Sequence, residues 1–133
     1  MDRNKQIEFA KAFQKMHHED QMMILPNAWN GGSAKVYERL GCKAVGTTSA
    51  GVAFAMGFTD REKISFDDLL RVTKEIIKVI DIPLSVDMEK GYGTSSQEVK
   101  NNVKKIIEAG AVGINIEDGN IGETPHLEAL NHQ

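Results

Sequence analysis

Three carboxylates follow two apolar segments in the second half of the sequence. Asp87 and Glu89 come after the apolar run at 84–86, and Glu117 comes after the run at 113–116. If both runs are neighbouring parallel strands, their ends lie about 4.8 Å apart, and residues 87 and 89 project to the same side. Clustered carboxylates repel each other, and a hard cation such as Mg²⁺ removes that conflict. The spacing predicts a metal site; solvated or salt-bridged surface acids are the alternative.

The segments that would position these acids alternate between helical and extended patterns. Apolar residues at helical spacing and helix start and stop signals predict helices, and short apolar runs predict strands. The predicted helices are 4–18, 31–40, 65–80 and 94–109, with a helical turn near 52–56 and a further helix beginning at 124–130. The predicted strands are 22–25, 44–47, 84–87 and 111–116. Ser65 is the expected N-cap of the third helix, and a capping box from Thr94 to Gln97 is expected to open the fourth.

Strands that alternate with helices at this spacing indicate an α/β protein with a parallel sheet. Two architectures fit the pattern: an open doubly wound sheet and part of a (β/α)₈ barrel. No glycine-rich dinucleotide fingerprint follows the first predicted strand. A complete barrel needs about 250 residues, and the sequence has 133. The position of the acidic residues relative to the strand ends must therefore distinguish the two architectures.

The composition is that of a globular protein, with 41% apolar and 26% charged residues. The net charge is -3 and the basic residues are dispersed, so the sequence gives no electrostatic reason to expect nucleic-acid binding. No apolar run approaches the about 18 residues of a membrane-spanning helix. The polar N-terminus lacks the apolar core of a signal peptide, and a cytoplasmic location is the default expectation.

Four segments, in order along the chain, resemble motifs of the isocitrate lyase and phosphoenolpyruvate mutase superfamily. Residues 85–93, SVDMEKGYG, are similar to its Asp-x-Asp/Glu-x-Gly-Tyr/Phe-Gly motif, and residues 113–118, GINIED, to its Gly-Ile/Leu-x-Ile-Glu-Asp strand. Residues 47–60 resemble the loop after its second strand, and residues 26–30, PNAWN, the end of the first strand in phosphonomutase-like members. Glu89, where Asp is commoner, agrees with the branch described as carboxyvinyl-carboxyphosphonate phosphorylmutase-like.

The resemblance implies the N-terminal half of a (β/α)₈ TIM barrel preceded by a helix, as a single partial domain over residues 1–133. It implies a lyase or mutase that makes or breaks a C–C or P–C bond next to a 2-oxo acid or its enolate. Mg²⁺, or Mn²⁺ in its place, would hold the substrate and stabilise the enolate. Asp87 would bind the metal directly, and Asp60, Glu89 and Glu117 would be further ligands through water.

The resemblance also implies a set of substrate contacts at the end of the second strand. Ser49 and the backbone amides of Ala50 and Gly51 would hold oxygens of a small 2-oxo acid or phosphonate substrate, as preorganised donors do. Asp87 would contribute to the same substrate site through the metal. No nucleic-acid or membrane partner is implied.

The sequence departs from the superfamily in its catalytic loop and its length. Lyases carry a Lys-Lys/Arg-Cys-Gly-His loop whose cysteine is the acid/base, whereas this chain has DGNIGET at 118–124. Mutases carry a lysine and an asparagine there, whereas no lysine follows Lys105. The catalytic residue is therefore unidentified, and a non-catalytic remnant or interaction module is the alternative to an enzyme. We expect a truncated or split gene product that forms a homo-oligomer or associates with a complementary C-terminal half.

Overall fold

The structure, a computed structural model, describes residues 2–60 and 63–118. The helices are α1 Arg3–Met16, α2 Gly31–Arg39, α3 Ser49–Ala55, α4 Phe66–Val79 and α5 Ser96–Ala109. The strands are β1 Asn27–Ala28, β2 Val45–Thr47, β3 Leu84–Asp87 and β4 Gly113–Asn115. The four strands form one parallel sheet in the order β1-β2-β3-β4, which confirms the predicted class and strand direction.

Helix α4 is the centre of the helical layer, because it packs against both α2 and α5. Its start is fixed by Ser65, whose side chain accepts a hydrogen bond from the Asp68 amide, as the sequence predicts. Its buried face carries Leu69, Val72 and Ile76 at helical spacing and contributes to the same core cluster as the buried strand residues. This layer holds β2 and β3 in the positions from which the site residues project.

Helix α5 begins one residue later than the sequence predicts. Ser95 is the N-cap; its hydroxyl accepts from the Glu98 amide, and the Glu98 carboxylate accepts from the Ser95 amide. Thr94 also bonds Glu98, donating from its amide and its hydroxyl at 2.7 Å each. The predicted capping box from Thr94 to Gln97 is therefore wrong. The Glu98 carboxylate accepts hydrogen bonds from both Thr94 and Ser95, and this places the N-cap at Ser95. Gly110 ends the helix at φ 118.

The predicted strand at 22–25 is wrong. In the described structure this segment belongs to no strand, and β1 lies further along the chain. The ladder between β1 and β2 begins where the Gly46 amide donates to the Pro26 carbonyl at 2.9 Å. Upstream of it, Met22 and Ile24 are 87% and 75% exposed. An apolar run alone does not make a strand where no neighbouring strand extends that far.

Helix α1 closes the amino-terminal end of β4, opposite the ends that carry the acidic residues. The Gln6 side chain donates to the carbonyls of Ile107 and Ala111, at 2.6 and 3.0 Å. Phe13 is buried against β4 at Gly113, where a Cβ would lie only 2.7 Å from the phenyl ring. The strand therefore needs a glycine at this position to let α1 pack. Among the helices described, none is long and apolar enough to span a membrane.

The sheet is open at both sides in the part of the chain that the structure describes. Strands β1 and β4 are its edges, and each pairs with one neighbour. Beside β4, α1 and α5 border a groove of about 340 Å³. Ile7 and Ile107, which line this groove, are about half exposed. The sheet edge and its apolar border thus have the character of an uncompleted barrel wall.

Candidate functional site

Asp87 is the last residue of β3, and three hydrogen bonds fix it in place. Its amide donates to the hydroxyl of Thr47 on β2 at 2.8 Å. Its Oδ2 accepts from the Ser49 amide at 3.0 Å, and its Oδ1 accepts from the Glu89 amide at 3.1 Å. Each carboxylate oxygen can accept more than one bond, so acceptor capacity remains. Backbone amides therefore orient the carboxylate, and its oxygens can still accept further bonds or bind a cation.

Glu89 does not continue the direction of Asp87. Strand β3 ends at Asp87, the next side chain, Met88, is fully buried, and Glu89 has a left-handed backbone at φ 46. The two-residue alternation that predicted a shared direction therefore stops before Glu89. Glu89 is 7% exposed, and its Oε1 accepts from the Tyr92 hydroxyl at 3.1 Å. Burial of a carboxylate at this position requires such hydrogen-bond partners.

Glu117 meets Glu89 through the backbone. The Glu117 amide donates to the Glu89 carbonyl at 2.6 Å, just beyond the point where the Met88 amide donates to the Asn115 carbonyl. These bonds extend the contact between β3 and β4 past the strand ends. The Glu117 side chain is exposed. The structure thus brings together the backbones of Glu89 and Glu117, as the strand pairing predicts.

Asp60 lies beyond α3 on the segment that follows β2. The residue is partly buried, and its Oδ1 is inaccessible to solvent and has no hydrogen-bond partner within residues 2–60 and 63–118. A buried oxygen of this kind is costly unless a cation or another donor satisfies it. Within residues 2–60 and 63–118, no group of three or more Asp, Glu, His or Cys side chains is arranged to hold a metal ion. The four predicted acids therefore do not form a closed side-chain cluster.

The Ser49, Ala50 and Gly51 segment forms the first turn of α3, which starts earlier than the predicted turn at 52–56. The Ser49 amide is already bonded to Asp87. The first hydrogen bond of α3 runs from the Val52 amide to the Thr48 carbonyl. The amides of Ala50 and Gly51 come before it, in the part of a helix whose amides have no partner within the helix. Backbone donors of a first helical turn are thus adjacent to the Asp87 carboxylate.

Close packing requires a glycine at position 51. A Cβ there would lie 2.6 Å from Thr48 Cγ2 and 3.2 Å from the Cβ of Trp29. The contact brings the end of β1 against the start of α3. Trp29 itself is 41% exposed. The ends of the first and second strands are therefore in contact, which places the motif segments at 26–30 and 47–60 side by side.

The turn after Glu89 is built from residues with unusual backbone angles. Gly91 has φ 92 and Tyr92 has φ 55. A Cβ on Gly91 would lie 2.6 Å from Val99 Cγ1, and one on Gly93 would lie 2.8 Å from the Cβ of Glu98. Both glycines are therefore needed for the turn to pack against the start of α5, and Gly91 also for its angle.

Thr47 and Asn102 contact the candidate site and were not among the residues predicted from the sequence. Thr47 is 4% exposed and anchors Asp87. Asn102, on α5, donates from Nδ2 to the carbonyls of Gly91 and Tyr92, at 3.0 and 2.8 Å. A signal for Asn102 was present: it is three residues after Val99, so a polar side chain falls on the helix face that packs inward.

Comparison with known proteins places this arrangement in a family. The sequence profile of the phosphoenolpyruvate phosphomutase family matches residues 13–133. This chain belongs to that family. The finding confirms the resemblance to the superfamily of isocitrate lyase and phosphoenolpyruvate mutase, and with it the assignment of the fold as half of a TIM barrel. The loop at 119–124 and the predicted helix at 124–130 lie outside the described residues.

Individual relatives agree with the family assignment. The chain is 33% identical to the 2-methylisocitrate lyase of Escherichia coli K12 over 110 residues, which are 82% of this chain and 37% of that protein. A proposed lyase/mutase from Burkholderia cenocepacia J2315 superposes with a TM-score of 0.84 at 34% identity, covering 90% of this chain and 42% of that one. An oxaloacetate acetylhydrolase bound to 3,3-difluorooxalacetate gives a TM-score of 0.75 at 28% identity, covering 84% and 38%. The chain spans about two fifths of the length of these relatives.

Proposed function

We propose that this chain supplies the metal-holding and substrate-holding half of a Mg²⁺-dependent lyase or phosphonomutase-like enzyme. The substrate class is a small 2-oxo acid or related phosphonate, with a C–C or P–C bond next to an enolate as the bond made or broken. The observation that carries the proposal is the Asp87 carboxylate, held at the carboxyl end of β3 by the amides of Ser49 and Glu89. Active sites of barrel enzymes lie at this end of the strands.

The donor set suits a hard cation. Mg²⁺ keeps several waters and is commonly bound by only one or two carboxylates together with substrate. Asp87 as the direct ligand fits this preference. The buried Oδ1 of Asp60, which has no hydrogen-bond partner among the described residues, is a second candidate ligand. Glu89 and Glu117 would act through water. Mn²⁺ has the same preference for oxygen ligands and would serve as a substitute. When bound, the cation would act as a Lewis acid toward the 2-oxo group.

The chain's own residues would orient the substrate. Ser49 and the amides of Ala50 and Gly51 lie at the start of α3, next to the Asp87 carboxylate, and would donate to substrate oxygens. Two structures of oxaloacetate acetylhydrolase favour this substrate class, because one contains the inhibitor 3,3-difluorooxalacetate and the other contains the product oxalate. The residue that transfers a proton is not assigned.

The rest of the pocket would come from a partner. The open edges of β1 and β4 are where a complementary C-terminal half, or a second copy of this chain, would add parallel strands. The second candidate function is a non-catalytic interaction module. It is favoured by the exposed apolar residues at the β4 edge, because such borders bind other proteins.

Calorimetry separates the two candidates. Mg²⁺ is titrated into the chain, and oxalate is then titrated into the Mg²⁺-loaded sample, with circular dichroism to establish folding. We expect heat from both ligands, and loss of both in Asp87→Ala. Asp20→Ala removes an exposed acid between α1 and β1, outside the site, and should bind as the parent does. A folded parent that binds neither Mg²⁺ nor oxalate would refute the proposal of an enzyme. Binding by Asp87→Ala would show that the site lies elsewhere.

A further inference from the structure

Asn102 lies in the outer helical layer, yet it contacts the backbone of the acidic site. It is partly buried on α5, and its Nδ2 donates to two successive carbonyls, those of Gly91 and Tyr92. Carbonyl oxygens only accept, so the orientation of the amide is determined by its partners. Two donors of one rigid amide group thus hold the turn between β3 and α5.

The turn at Gly91 and Tyr92 has a strained backbone, which contacts from other elements must stabilise. Gly91 and Tyr92 both have positive φ, which for a tyrosine is a conformation of raised energy. The Gly91 amide donates back to the Met88 carbonyl and closes the turn locally. Local closure does not tie the turn to the rest of the protein, whereas the two bonds from Asn102 tie it to α5.

The position of this turn also affects the position of Glu89. The Tyr92 hydroxyl donates to Glu89 Oε1 at 3.1 Å, and the Glu89 carbonyl accepts from the Glu117 amide at 2.6 Å. The Glu89 amide also donates to Asp87 Oδ1. A shift of the turn would therefore move the Glu89 carboxylate and loosen one of the two backbone bonds that orient Asp87.

We propose that Asn102 is a positioning residue of the acidic site, acting through the Gly91–Tyr92 turn and the Tyr92 hydroxyl on Glu89. The claim that it tunes cation binding rests on the proposed function. The claim that it fixes the turn stands on the hydrogen bonds alone. Residues that orient metal ligands commonly change metal affinity by about 10- to 100-fold when removed.

The chain offers a matched control. Asn101 is the neighbouring asparagine on the same helix; it is exposed, and its side chain accepts from Gln97 in the same helix. Asn101→Ala and Asn102→Ala thus remove the same side chain from adjacent positions. Tyr92→Phe removes only the hydroxyl and leaves the ring, which packs near Phe66.

The first measurement is amide hydrogen exchange by NMR on the unliganded chain. In Asn102→Ala we expect the Gly91 and Glu117 amides to exchange at least about tenfold faster, while amides in the middle of α5 keep their protection. Asn101→Ala should leave both amides unchanged. A merely structural role would raise exchange along α5 as a whole. Unchanged exchange at Glu117 in Asn102→Ala would overturn the proposal.

The second measurement is Mn²⁺ affinity by electron paramagnetic resonance. Asn102→Ala and Tyr92→Phe should each weaken binding by about 10-fold, and the double variant should bind no more weakly than the weaker single one, because both act on Glu89. Equal affinity of Asn102→Ala and Asn101→Ala, or multiplied effects in the double variant, would overturn the proposal. A folded parent without Mn²⁺ affinity would refute the proposed function and the tuning claim, and the exchange result would still decide whether Asn102 fixes the turn.

Discussion

Gly91 allows the packing of the site turn to be measured as a free energy. Gly91→Ala introduces two separate costs. The backbone at φ 92 disfavours any residue with a Cβ, and that Cβ would lie 2.6, 3.1 and 3.3 Å from the Cγ1, Cγ2 and Cβ of Val99. Val99 belongs to the first turn of α5, which is fixed by the capping box, so it cannot simply move aside.

The magnitude follows from these two terms. A left-handed backbone costs an alanine about 1–2 kcal/mol relative to glycine. Overpacking against a fixed side chain costs about 1–3 kcal/mol more. We therefore expect Gly91→Ala to lower the free energy of unfolding by about 2–5 kcal/mol, a large part of the total stability of a small domain.

Gly57 is the matched control. It has a similar backbone angle, φ 81, but nothing lies within 4 Å of its added Cβ. Gly57→Ala should therefore show the backbone cost alone, about 1–2 kcal/mol. Both variants are compared with the parent by urea unfolding followed by circular dichroism. In a Val99→Ala background the cost of Gly91→Ala should fall towards that of Gly57→Ala, because Cγ1 and Cγ2 are removed and only the 3.3 Å contact with the Cβ of residue 99 remains. Equal costs for the two glycines in the parent background would refute the packing argument.

Two further predictions concern Glu98 and Thr47. Hydrogen bonds, first from the Thr94 hydroxyl, lower the pKa of Glu98, so its stabilising effect is present above the ordinary carboxyl pKa and is lost as pH falls through the folded value. When the pH of thermal melts is lowered from 6 to about 3, Glu98→Gln should thus lose less stability than the parent. Asp68, whose pKa is also lowered, is present in both proteins and contributes equally to both losses. Equal losses in the two proteins would contradict the prediction. Thr47→Val leaves the Asp87 amide without its acceptor and should cost about 1–3 kcal/mol in urea unfolding, whereas Thr47→Ser should cost clearly less; equal effects of the two substitutions would contradict the role of the hydroxyl.

The fold was predictable where local signals and long-range pairing agree. The helix start at Ser65 and the helix end at Gly110 follow from residue type, and the structure confirms both. The error at 22–25 arose because strand formation depends on a neighbour, and the sequence does not state how far β2 extends. The shift of the cap from Thr94 to Ser95 has a local cause: Glu98 accepts more hydrogen bonds than Gln97 could.

The sequence predicts only part of the geometry around the proposed site residues. Asp87 and Glu117 lie at neighbouring strand ends because parallel pairing brings those ends together. Glu89 was placed by strand alternation, which does not apply once the backbone reaches φ 46. Asn102 and Thr47 form hydrogen bonds with main-chain groups 10 to 40 residues away. Helical spacing indicates only that Asn102 faces inward, and no spacing rule identifies its partners or that of Thr47.

Hydrogen bonds between elements within residues 2–60 and 63–118 shape the acidic site. Asp87 is tied to β2 and α3 through Thr47 and Ser49, and Glu89 is tied to the β4 end through Glu117. In the proposed enzyme, a complementary barrel half would cover the site and complete the pocket without rebuilding the acidic end of β3. Under the proposed function, cation binding by this chain should precede association with a partner, whereas turnover should require it.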